Sequence, residues 1–163
     1  MPKNPPPPAI NSARVVAYAF VDDIPYRQHG RLFVGDKILG AVPQLAIVVN
    51  LGKDIGPMLF HCDENWNCLG TSGAENVPAV KKLAERNYPG VASRWVDVDA
   101  SVEDALRYYD EQTGSLTCDF CGKRPFEFEG GFAGGREAII CRTCVNAYHA
   151  AFNEPDSENP EAF

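Results

Sequence analysis

Four cysteines stand at a spacing that can do chemistry. Cys118 and Cys121 form one C-x2-C pair, Cys141 and Cys144 a second, with 19 residues between the pairs. Thiolates are soft ligands, and zinc(II) takes four of them tetrahedrally at ~2.3 Å. A two-residue gap lets one tight turn deliver two sulfurs to one ion. The same cysteines could instead form disulfides, an iron site or a redox switch. A reducing compartment disfavours the disulfides, and one structural Zn2+ is the expectation. Four thiolates would close its coordination sphere, leaving no position for a reacting water.

The sulfurs need elements to position them. Gly122, directly after Cys121, suits a knuckle in which backbone N–H groups turn toward sulfur. Phe126-Glu127-Phe128 alternates and reads as an outgoing strand, Gly130 to Gly135 as a turn, and Ala138-Ile139-Ile140 as the strand returning to Cys141. Arg142 to Phe152 lacks Gly and Pro and repeats Val145, Tyr148 and Phe152 on one helical face. The second pair thus falls at a helix start, where the positive dipole end favours thiolates. Knuckle, hairpin and helix in that order make a treble clef. Lys123, Arg124 and Arg142 adjoin ligands and are expected to offset the charge of a zinc tetrathiolate. Some 40 residues bury too little to fold alone, whereas zinc contributes ~10–16 kcal/mol in small fingers.

These residues carry a resemblance. Residues 117–153 resemble the four-cysteine zinc-binding domain of the bacterial unfoldase ClpX, through Cys118-x-Phe120-Cys121-Gly122-Lys123, the two-residue gaps and Ile139-Ile140-Cys141 entering a helix. The resemblance implies zinc on Cys118, Cys121, Cys141 and Cys144, dimerisation, and docking of adaptors and substrates. It covers under a quarter of the chain. No G-x4-G-K-[ST] phosphate loop is present, and Gly130 to Gly135 lacks the Lys-Ser/Thr that would follow. An unfoldase is excluded.

Elsewhere the chemistry is sparser. His61, Cys62 and Cys68 lie close together in HCDENWNC, inviting a second metal site or a thiol nucleophile. On a strand, however, His61 and Cys62 point to opposite faces and cannot form a dyad. The expectation is a hairpin with a buried cysteine and a surface histidine. His149 and His29 are read as surface or packing residues. Asp22-Asp23, Asp97 with Asp99, and Glu103-Asp104 are read as solvated or capping carboxylates. No catalytic residue is assigned.

The chain's 163 residues, 45% hydrophobic and 23% charged, suit one domain or two small ones. Residues 1–11, with four consecutive prolines, read as a disordered tail, and 154–163 as an acidic disordered tail. Between them, 12–112 reads as a small α+β domain and 113–153 as the zinc-binding domain, divided at the polar break Gln112 to Ser115. Strands are expected at 13–20, within 31–51, at 57–62, at 66–69 and within 91–98. Helices are expected over 75–87, with Val77, Val80, Leu83 and Ala84 inward, and after a Ser101 cap, with Val102, Leu106 and Tyr109 inward. The order is β-β-β-α-β-α.

A net charge of −7 argues against general binding to nucleic acid or anionic membranes. Without a secretory signal or a ~20-residue apolar run, a cytoplasmic location is expected. The leading function is a non-enzymatic protein-interaction protein, an adaptor or accessory factor that homodimerises, linked by analogy to protein quality control. An immunity protein neutralising a basic toxin is the alternative. An enzyme with its site in 12–112 stands third and calls for a pocket lined by His61 and carboxylates.

Overall fold

The computed structural model describes residues 3–128, 130–134 and 138–153. The chain divides into two compact units, 1–113 and 114–163. The acidic segment 154–163 and the last glycine of the expected turn, Gly135, lie outside the described residues.

The amino-terminal unit is built on a curled antiparallel sheet. Its strands are β1 (Ala9–Ile10), β2 (Ala13–Phe20), β5 (Gln44–Asn50), β6 (Pro57–Cys62) and β7 (Cys68–Gly73), adjacent in that order. A short β8 (Val96–Asp97) pairs with β2 on the edge it shares with β1. Between β2 and β5, β3 (Phe33–Val34) and β4 (Lys37–Ile38) form a separate two-stranded hairpin. Both faces of the main sheet are covered, which is why β5 reads as an unbroken apolar run. Leu45, Ala46, Ile47 and Val48 are all fully buried.

On one face, α1 (Val77–Asn87) places Val80 and Ala84 against Ala17, Ala19, Leu45, Ile47 and Leu59. Asn76 caps this helix, its side chain accepting from the Ala79 N–H at 2.9 Å. The buried Tyr88 follows, its hydroxyl accepting from the Val42 N–H at 2.8 Å. On the other face Ile10, Val15, Ala46, Val48, Phe60, Cys62 and Trp66 form a second layer. There α2 (Val102–Thr113) lies against β1 and β2. Ser101 and Asp104 cap it reciprocally, but the buried residue is Ala105, whereas Val102 is exposed.

β2 contributes to both layers. Its register against β5 shifts between Val15 and Ala17, a β-bulge at Val16. Ala13 and Val15 therefore join the second layer, while Ala17 and Ala19 join the first.

Three sequence expectations need correction here. The segment before β2 is not a free tail from residue 3 onward. Ala9 and Ile10 are buried in β1, Pro8 accepts the Val15 N–H at 3.0 Å, and the Trp66 indole N–H donates to the Asn4 carbonyl at 3.1 Å. Proline removes donors from this stretch but leaves its carbonyls free to accept. Trp66 itself is not the start of the returning strand. Asp63 accepts from the backbone of Asn65 and Asn67, and this turn holds Trp66 at φ 65° and buried, so β7 begins only at Cys68. Lastly, Val91–Ser93 is a 3-10 turn, because Glu85 accepts the N–H groups of Gly90 and Ala92 and curls the chain before β8.

Candidate metal centre

The carboxy-terminal unit brings all four predicted cysteines together. Their sulfurs lie within 4.8 Å of one another. Cys118 and Cys144 are 3.9 Å apart at sulfur, Cys121 and Cys141 3.8 Å. A tetrahedron with metal–sulfur bonds of ~2.3 Å has sulfurs ~3.8 Å apart, so the cage has the dimensions of a four-thiolate metal site compatible with zinc.

The positioning begins at the first pair. The Gly122 N–H donates to the Cys118 carbonyl at 2.7 Å, and Cys118 N–H to the Lys123 carbonyl at 2.9 Å. Gly122 has φ 70°, a left-handed turn that favours glycine. The second pair straddles a strand end and a helix. β9 (Phe132–Gly134) pairs with β10 (Ile139–Cys141), and α3 (Arg142–Asn153) starts at the next residue. The outgoing strand is thus 132–134 and not 126–128, since Pro125–Glu127 coils into a 3-10 turn closed by Arg124 and Glu127. That pairing gives Arg124 a carboxylate partner outside the sulfur cage. Phe128 is buried against Cys118 and Cys141.

Asp119 ties the halves together, and sequence reasoning passed it over. Its backbone N–H donates to the Ile139 carbonyl at 2.8 Å, and its side chain accepts the Ile139 N–H. The knuckle is thereby registered on β10, two residues before Cys141. Gly130 gives a second constraint. At φ 88°, its missing Cβ leaves room for the Arg142 side chain, whose Cδ would lie 2.8 Å from such an atom.

The electrostatics favour thiolate at one pole of the cage. Burial opposes ionisation of Cys118, but N–H groups of Cys141, Phe120 and Cys121 aimed at its sulfur outweigh this and lower its thiol to about 6. Cys144 is pushed up to about 12, by burial and then by the neighbouring thiols. Four crowded sulfurs cannot all hold charge unaided. A dication among them removes that conflict. His149 stands on α3 outside the cluster.

The second candidate group, His61, Cys62 and Cys68, does not assemble into a dyad. His61 and Leu59 face the α1 side of β6, whereas Cys62 packs with Phe60 in the opposite layer. Cys68 stands opposite Cys62 in register and borders a cavity of about 400 Å³ with Trp66, Ile10 and Tyr108. Burial raises both thiols, Cys62 to about 12, which keeps them in the inert thiol form. His61 is not on the surface as expected, being 4% exposed. Its position on a strand covered by α1 decides this, because alternation fixes the face but not whether a helix lies over it.

Burial lowers His61 from 6.5 to about 4. The unfolded chain therefore takes up a proton on His61 below pH 6.5 that the folded chain refuses. Stability is complete above that pH and falls as pH drops toward 4, by about 3 kcal/mol. Urea unfolding at pH 7 and pH 4.5, followed by tryptophan fluorescence, is expected to show this loss in the wild type and a smaller one in His61→Gln. Both tryptophans, Trp66 and Trp95, lie in the amino-terminal unit, so the signal reports on that unit alone.

No protein-family model, curated protein or solved structure matches this chain. No described helix is long and apolar enough to cross a membrane.

Proposed function

We propose that the chain is a non-enzymatic, zinc-binding protein-interaction protein, an adaptor or accessory factor. Its carboxy-terminal unit would be a treble clef of the ClpX type, holding one Zn2+ on Cys118, Cys121, Cys141 and Cys144 and pairing with a second copy. The observation that carries the reading is the four-sulfur cage, with sulfur separations suited to zinc and every coordination position filled by protein. Such a closed site stabilises a fold and does not activate water.

The interaction half of the proposal draws on α3. None of its 12 residues is buried, and it displays Val145, Tyr148 and Phe152 at spacings of three and four. Phe152 is 85% exposed. Phe120 on the knuckle meets Tyr148 edge-on at 5.4 Å between ring centroids, extending the apolar row beside the metal site. An apolar row of this kind is costly to leave in water and suits a protein partner.

Metal analysis together with sedimentation equilibrium tests both halves. The wild type is expected to hold one zinc per chain and to self-associate, and the double variant Tyr148→Asp, Phe152→Asp to keep its zinc and become monomeric. Metal-free protein with a folded carboxy-terminal unit would overturn the zinc assignment. A wild type monomeric at every accessible concentration would overturn the pairing.

A further inference from the structure

Beneath the carboxy-terminal turn of α1 lies a cavity of about 210 Å³, lined by His29, Leu59, His61, Ser72, Leu83, Arg86 and Asn87 with Gly30. Three features of this lining stand out. First, it holds two imidazoles, a guanidinium, a hydroxyl and an amide, and no carboxylate, in a chain whose net charge is −7. Second, its polar groups are mostly donors. The Asn87 side-chain oxygen already accepts the His29 N–H at 3.2 Å, so the amide offers the cavity its NH2 end. Arg86 offers only donors. Third, His61 forms the floor at 4% exposure, and among the described residues its ring has no hydrogen-bond partner. Its ring nitrogens, unlike the sealed and unpartnered Gln44 Oε1 and Trp95 Nε1, reach the open cavity and can meet a bound group there.

We infer that this cavity binds a small oxyanion, the phosphoryl or carboxylate group of a compact metabolite, with His61 and Arg86 as its principal contacts. A water molecule occupies ~30 Å³ in the liquid, so the space holds roughly seven waters, enough for one oxyanion and a short carrier. Arg86 presents the planar fork that matches an oxyanion in bidentate fashion. Ser72 on β7 and His61 on β6 approach from the sheet, while Asn87 and Arg86 approach from the helix. The negative end of α1 opposes an anion, but the Arg27 N–H donates to the Asn87 carbonyl at 2.8 Å and blunts it. That same bond and the ring contact of Tyr26 with Tyr88, 5.3 Å between centroids, hold the 26–29 segment against the helix and preform the rim. This site lies wholly within the amino-terminal unit and is independent of the cysteine cage.

The test is a titration of the intact chain with inorganic phosphate, and in parallel with acetate, at low ionic strength. Imidazole NMR of His29 and His61 is the readout. Saturable shifts at both rings, weakened about ten- to a hundredfold in Arg86→Gln, are expected. Saturation with phosphate alone assigns a phosphoryl group, and saturation with acetate alone a carboxylate. Shifts that never saturate, that sodium chloride reproduces equally, or that Arg86→Gln leaves intact would overturn the site. His61 is read in the wild-type protein, so the outcome does not depend on a variant at the buried position folding.

Discussion

Cys141→Ser is expected to unfold the carboxy-terminal unit and abolish metal binding there, while the amino-terminal unit melts unchanged. Cys141 is fully buried, its sulfur is 3.8 Å from that of Cys121, and it accepts the Cys144 N–H at 3.5 Å. Serine offers a harder oxygen on a shorter bond, so the cage loses both a ligand and its dimensions. Among the described residues, Phe128 is the one buried side chain of this unit apart from the site itself. That is too little to replace a zinc contribution of ~10–16 kcal/mol. Metal content should fall from one equivalent toward zero, and amide signals of 114–153 should collapse to the narrow range of an unfolded chain. The tryptophan-detected transition should stay where it was. One retained zinc with undisturbed amide dispersion would sink the four-thiolate assignment.

Deleting residues 1–11 is expected to destabilise the amino-terminal unit by about 3–5 kcal/mol, combining lost Ile10 burial with lost β1 pairing and an uncovered Trp66. Ile10 is 5% exposed and Trp66 6%. Their environment includes the Asn4 carbonyl on the indole, the Lys3 ammonium 5.0 Å from the centroid of Phe20, and an ion pair between Lys3 and Asp22. The ion pair is exposed and contributes little. Chemical denaturation should show an earlier midpoint, and the emission of Trp66 should move to the red as water reaches it. A midpoint unchanged by the deletion would mean that these contacts do not hold in solution.

That second expectation reverses the sequence reading, and the reason is instructive. A stiff, extended run of prolines reads as a solvated tail unable to join a core. The carbonyls of this segment still accept, however: Pro8 takes the Val15 N–H of β2, and Asn4 takes the Trp66 indole N–H. The metal site was more legible because its information is local. Two-residue gaps, a glycine after the knuckle and an uninterrupted helical stretch each act within a turn. Strands β2 and β6 were legible for the same reason, being bounded by turn residues and alternating or apolar between them. The hairpin was misplaced because Phe126-Glu127-Phe128 alternates like a strand while Pro125 and the Arg124–Glu127 pairing favour a tight turn. The depth of His61, and the cavity it floors, could not be read from β6, since they depend on where α1 docks.

The bulge at Val16 has an evolutionary consequence. Upstream of it, the odd-numbered residues Ala13 and Val15 face the layer that holds Trp66; downstream, Ala17 and Ala19 face the layer that holds Tyr88, and Tyr18 and Phe20 take the Trp66 side. Loss of one residue at this point would send Ala17 and Ala19 to the wrong side and bring larger neighbours into their places. Lineages descending from this chain are thus free to vary the identity of residues along β2 within the limits of size, but its length is fixed. Gaps and insertions should accumulate in the loop between β2 and β5 and stay out of the strand itself.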